Sequence, residues 1–128
     1  MVSKKKVSEQ LPPVELAMMQ VLWAQGPSTV QEVQERMEGE QAYTTVQTML
    51  NIMVQKGRVE RTLRGKAYVY RAALSREVAM GSAVEDLVQR MFGGRVEALL
   101  MNLVEREKVD EDTIAKLKQA IAEREKKA

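Results

Sequence analysis

The chain has 128 residues, 45% of them apolar and 30% charged, which suits one domain or a small domain with an oligomerisation segment. It holds no cysteine and no histidine, which excludes a disulfide framework, a thiolate metal site, the commonest zinc ligand and the commonest general base. The net charge of +2 divides unevenly: Met1–Gln10 carries +2, Leu11–Ala42 carries −4, Tyr43–Arg76 carries +6 and Glu77–Ala128 carries −2. A basic middle block between acidic flanks is the footprint of a surface that meets a polyanion, although a solvated arginine-rich hairpin gives the same count.

The opening residues 1–10 bear Lys4, Lys5 and Lys6 with no apolar run behind them, so they read as a flexible basic tail and not as a signal peptide. No stretch reaches the roughly 18 apolar residues of a spanning helix, and a cytoplasmic protein without a membrane partner is expected. After Pro12 and Pro13, residues Val14, Ala17, Met18, Val21 and Leu22 recur at the spacing of an amphipathic helix that ends at Gly26 and Pro27. Ser28 with Gln31 suggests a capping box for a second helix with Val30, Val33 and Met37 on its apolar edge, closed by Gly39. Thr44 with Gln47 suggests another cap, and Val46, Met49, Leu50, Met53 and Val54 form the buried stripe of a third helix running to Gly57. Residues Arg58–Ala73 then alternate as two strands around a turn of Arg64, Gly65 and Lys66. From Ser75 onward three one-sided helices are expected, with stripes of Val84, Leu87, Val88 and Met91, then Val96, Leu99, Leu100, Leu103 and Val104, then Ile114, Leu117 and Ile121 after an N-cap at Asp110. The second stripe starts beyond the break at Gly93 and Gly94.

Three helices, a basic-tipped hairpin and a helical remainder give a mainly α fold class with a small β-hairpin wing. The expected domains are the tail at 1–10, a winged helix-turn-helix DNA-binding domain at 11–74 and a helical dimerisation domain at 75–128. The stripes of the last fifty residues are too exposed in so small a body to stand alone. A second copy of the chain is the simplest cover, the alternative being that they fold back on the N-terminal body. Leu87, Met91, Phe92, Leu99, Leu100, Leu103, Ile114, Leu117 and Ile121 are the expected dimerisation residues.

The third helix has the chemistry of a reading surface. Its outer face, Thr44, Thr45, Gln47, Thr48, Asn51 and Gln55, carries uncharged hydrogen-bonding side chains where a solvated helix would carry Glu and Lys pairs. Gln47 can grip adenine through both ends of its amide, and Thr45 and Thr48 can touch thymine methyl groups. Tyr43 at the helix entrance can meet a phosphate or sugar, or pack on the helix as a staple. Arg64 and Lys66 at the hairpin tip, and Lys56 with Arg58 after the third helix, are the candidate phosphate contacts; the latter two can equally complement the helix dipole.

Carboxylates have no nucleophile or base beside them, so an enzyme is not expected, and Asp110–Asp112 lacks the spaced ligands and central glycine of a calcium loop. No metal and no cofactor are expected, and the nine methionines read as core filler.

Read together, Glu15 to Trp23 with Gly26-Pro27 (ELAMMQVLWAQGP), Tyr43 to Leu50 (YTTVQTML), Lys56-Gly57, the wing ending Gly65-Lys66-Ala67-Tyr68-Val69-Tyr70, Phe92-Gly93-Gly94 and Leu99 to Val104 resemble the penicillinase repressor family of BlaI/MecI type. The resemblance spans nearly the whole chain. It implies a homodimeric transcriptional repressor on a palindromic operator in double-stranded DNA, of genes of the beta-lactam-resistance type, with intertwined C-terminal helices. It also makes Asn102-Leu103 similar to the position at which antibiotic-responsive members are cleaved, which would add a regulatory protease as partner. In those members an aromatic often follows the asparagine, and the other reading makes Leu103 a dimer-core residue with Asn102 its exposed neighbour. The C-terminal cysteine motif of copper-responsive relatives is absent. The rival from another class is a winged-helix protein-interaction module that does not bind DNA.

Overall fold

A computed structural model of the protein describes residues 11–38 and 40–127. Along the chain run α1 (Pro13–Gln25), α2 (Val30–Arg36), α3 (Tyr43–Gln55), β1 (Val59–Arg64), β2 (Ala67–Ala72), α4 (Arg76–Met91), α5 (Val96–Glu105) and α6 (Glu111–Lys127). Three helices followed by an antiparallel hairpin make a winged helix within a mainly helical chain. The chain divides into two compact units, Met1–Val84 and Glu85–Ala128, so the division falls inside α4 and about ten residues past the boundary expected at 74/75. The expected basic tail and Gly39, expected to close the second helix, lie outside the described residues.

In the first unit, Met18, Met19 and Leu22 from α1, Val30 and Val33 from α2, and Val46, Leu50 and Met53 from α3 form one core, closed by Val59 and Tyr70 from the hairpin. Ten buried side chains drawn from five elements explain why no element is stable alone: each helix presents one apolar stripe that only its neighbours cover. Trp23 sits half-buried and donates its indole N–H to the Leu74 carbonyl at 2.9 Å, pinning the end of α1 to the chain leaving the wing.

Two caps differ from the sequence expectation, that of α2 by one residue and that of α3 by two. The capping box of α2 is Thr29 with Glu32, not Ser28 with Gln31. Ser28 is buried, exchanges both backbone hydrogen bonds with Tyr70 at 2.9 and 2.7 Å, and donates its hydroxyl to the Gly26 carbonyl at 2.8 Å. With its carbonyl taken by Tyr70 and its hydroxyl by Gly26, Ser28 has neither group free for the helix, which starts one position later. Likewise α3 starts at Tyr43, with Ala42 as N-cap and no side-chain cap, so Thr44 lies in its first turn and does not cap it. The C-terminus of α3 is as expected. Gly57 takes φ +82°, its N–H reaches the Val54 carbonyl and that of Arg58 reaches Met53, a paired closure that needs a left-handed residue at the turn.

The hairpin pairs Val59 with Ala72 through Arg64 with Ala67, leaving Gly65 and Lys66 as a two-residue loop. Gly65 has φ +63°, the positive value that a short hairpin turn requires at its first position. Val59, Arg61, Leu63, Tyr68, Tyr70 and Ala72 share one face, and burial fades along it from Val59 and Tyr70 to the exposed Leu63 and Tyr68. The tip therefore stands clear of the core, as a wing.

In the second unit, Val88 of α4 is buried and Phe92, Leu99 and Leu103 are half-buried, whereas Leu87, Met91, Val96, Leu100, Met101, Val104, Ile114, Leu117 and Ile121 are exposed. No residue of α5 or α6 is buried. Asp110 caps α6 as expected, accepting the Thr113 N–H at 2.8 Å. The backbone N–H of Thr113, then its hydroxyl, hold the Asp110 carboxyl below its ordinary value. A depressed folded value means that the cap's contribution is complete above the usual aspartate range and is lost as pH falls through the depressed value. On acidification the Thr113 amide resonance is expected to move with a midpoint below that of a free aspartate, and Asp110→Asn should abolish the movement while keeping the helix; a midpoint at or above the free value would refute the cap's role.

Candidate nucleic-acid interface

The site is built on α3 and the wing. The buried stripe Val46, Leu50 and Met53 fixes the rotation of α3 and turns Thr44, Thr45, Gln47, Thr48, Ile52 and Gln55 outward, all exposed. No charged side chain occurs between Tyr43 and Gln55. Because no side chain caps α3, the N–H groups of its first turn point outward beside Tyr43, which is 46% exposed. Uncapped N–H groups at the positive end of a helix can bind a phosphate.

The wing lies beside this helix. Thr29, Val30 and Gln31 at the start of α2, Tyr43 and Gln47 of α3, and Lys66, Ala67, Tyr68 and Tyr70 of the wing line a cleft of about 250 Å³. Gln47 thus occupies the wing-side flank of α3, while Thr45, Thr48 and Ile52, at i, i+3 and i+7, lie exposed elsewhere on the helix. Arg64 and Lys66 stand exposed at the wing tip. Their charge is available to a polyanion that lies along α3, because it is neither buried nor held in an ion pair among the described residues.

Three candidate positions have other partners. Asn51 is half-buried, and its carboxamide oxygen accepts from Arg61 Nη1 at 2.6 Å and from the Tyr70 hydroxyl at 3.1 Å, while its Nδ2 donates to the Gln47 carbonyl at 3.0 Å. It joins the reading helix to the wing before any ligand arrives. Lys56 reaches Glu15 at 3.1 Å, and Arg58, expected as an electrostatic contact, is buried against Glu15 at 2.7 Å. Arg58 is therefore a core ion-pair residue and not a phosphate contact: the closure at Gly57 turns the chain inward at that point.

Sequence reasoning missed Glu15 and Arg61. Glu15 looks like an ordinary first-turn acid of α1 and is in fact buried. Arg61 lies with its guanidinium carbon 4.1 Å from the centre of the Tyr68 ring, and Tyr68 in turn meets Tyr70 at a tilted 6.4 Å. Alternation of Arg61, Tyr68 and Tyr70 along the two strands was the one available signal. Asn102 and Leu103 lie inside α5, Asn102 exposed and Leu103 half-buried, with the Asn102 carbonyl bonded to the Arg106 N–H at 3.0 Å. A protease that reads extended backbone reaches this bond only after the helix opens. No helix among the described residues is long and apolar enough to cross a membrane.

The model of the penicillinase repressor family matches residues 11–123. The chain is 34% identical over 116 residues to the transcriptional regulator BlaI of Mycobacterium tuberculosis, in both strains CDC 1551 / Oshkosh and ATCC 25618 / H37Rv, covering 88% of this chain and 83% of that protein. It is 22% identical over 116 residues to the penicillinase repressor of Bacillus licheniformis, covering 89% and 91% of the two chains. Among solved structures, a MarR family protein from Bacillus stearothermophilus aligns over 93% of this chain and 81% of its own with a TM-score of 0.49 and 18% identity. The match from Leu11 to Glu123 takes in both the winged helix and the apolar C-terminal helices, and the chain belongs to the penicillinase repressor family, whose members are transcriptional regulators and not enzymes.

Proposed function

We propose that this protein is a cytoplasmic, homodimeric repressor that binds a palindromic operator in double-stranded DNA, with α3 in the major groove and the wing tip on the flanking backbone. The observation that carries this is the uncharged, exposed face of α3 set beside the cationic wing tip of Arg64 and Lys66. Base edges are read by short amides and hydroxyls, whereas phosphates are gripped by cations, and the two kinds of side chain are segregated here as those tasks require. The exposed apolar side chains of α5 and α6 support self-association, because a two-fold dimer covers the same patch on both copies at once. The family's name supports genes of the beta-lactam-resistance type as targets.

Selection of bound duplexes from a random pool tests the proposal: a two-fold symmetric site is expected. Gln47→Ala should lose discrimination at one base-pair position by roughly 1 to 3 kcal/mol, whereas Arg64→Ala should weaken binding to all sequences and lower the salt slope by about one phosphate contact. Absence of any duplex binding at low salt would leave a protein-interaction module instead.

A further inference from the structure

The exposed surface of α3 carries one apolar strip. Thr45, Thr48 and Ile52 follow one another at i, i+3 and i+7 and therefore form one strip, with Ile52 41% exposed. This isoleucine lies outside the buried core of the first unit, where Val46, Leu50 and Met53 form the stripe of α3 with no exposure at all. The polar neighbours of the strip at i±3 and i±4 are the hydroxyl of Thr44 and the amides of Asn51 and Gln55; α3 itself offers no lysine or arginine, and Lys56, just past its end, is paired with Glu15.

We infer that Ile52, with Thr48 and Thr45, is a specificity-determining contact for the 5-methyl groups of thymine, so that the base pairs facing α3 are A·T-rich. This rests on the DNA-binding function proposed above. Chemistry selects the base. Guanine presents two acceptors that are read by a bidentate cation, and α3 has none; adenine presents a donor and an acceptor that match a glutamine amide; thymine adds a methyl group that only an apolar side chain rewards. A groove-facing isoleucine gains by covering such a methyl and loses by facing the polar edge of guanine or the amino group of cytosine. The wing cations can still contact any sequence, so the preference is confined to the positions under α3.

The test uses the full chain and the duplex selected from a random pool, with thymines replaced one at a time by deoxyuridine, which pairs identically and lacks the methyl. Loss of the methyl that Ile52 covers is expected to weaken binding about three- to fourfold, the value of one buried carbon. Ile52→Ala should weaken binding to the thymine duplex and make it indifferent to that replacement, with the fold retained in the thermal melt because the side chain is outside the core cluster. Equal binding of thymine and deoxyuridine duplexes by the unmodified protein, or a selected site rich in G·C pairs at its half-site centres, would overturn the inference while leaving DNA binding intact. Failure to select any duplex would overturn DNA binding itself.

Discussion

Glu15→Ala is expected to destabilise the winged-helix unit by about 3 to 5 kcal/mol, the cost of removing one partner of a buried ion pair. Glu15 and Arg58 are both buried, and one carboxylate oxygen meets Arg58 Nη1 at 2.7 Å while the other takes Lys56 Nζ at 3.1 Å. The loss comes less from the attraction forgone than from a guanidinium held in the core without that carboxylate. The pair also has a mechanical role. Arg58 follows the closure of α3, and its carbonyl accepts from the N–H groups of Ala73 and Leu74 at 2.8 and 3.1 Å. One residue thereby ties α1, the end of the reading helix and the exit of the wing together. Urea unfolding measures the loss through a lower midpoint at constant slope. Glu15→Gln, which keeps an acceptor, should lose less, and the double variant Glu15→Met with Arg58→Met should recover most of the stability. A loss below about 1 kcal/mol for Glu15→Ala would show that the pair is dispensable.

The second large effect is expected from Leu100→Glu. Leu100 is 49% exposed on α5, beside the exposed Met101 and Val104, and no residue of that helix is buried. A carboxylate there costs the isolated chain little, because exposed substitutions rarely move stability by more than about 0.5 kcal/mol. In a dimer it would be buried in an apolar seam, so the molar mass in sedimentation should fall to that of one chain. Operator affinity should then drop by roughly 10²- to 10⁴-fold, since two half-sites no longer share one tether. Residual binding should be that of a single winged helix and should retain the salt dependence of the wing cations. A variant that stays dimeric, or a monomer that binds the operator undiminished, would separate this apolar face from repression.

Much of the architecture was legible because its signals are local. Helix periodicity gave the stripes of α3 and α5 and the extent of α1, whose buried face of Glu15, Met18, Met19 and Leu22 is rotated from the expected one; Gly57 and Gly65 marked turns where their positive φ values are needed, and Asp110 announced α6. The cap of α2 was misplaced by one residue for a non-local reason: Ser28 is claimed by Tyr70, 42 positions away, and cap preference cannot register that competition. The candidate interface was legible in residue type and not in partnership. Thr44, Thr45, Gln47 and Thr48 are exposed on α3 as their spacing implied, whereas Asn51 is engaged by Arg61 and Tyr70 once the hairpin folds back.

The sequence by itself determined the period and polarity of each element: which face of α3 is apolar, that its other face is uncharged, and that the cations gather on the hairpin. Those are properties of neighbouring residues along one helix or strand, and hydrophobic spacing encodes them directly. Only the tertiary structure decided which polar groups remain available. Glu15, Arg58, Lys56, Asn51 and Arg61 all carry side chains suited to solvent or to a ligand, and each is claimed by a partner ten or more positions away. Such pairings depend on how the core brings distant elements together and on the cost of leaving a buried charge without its counterion, which no local pattern contains.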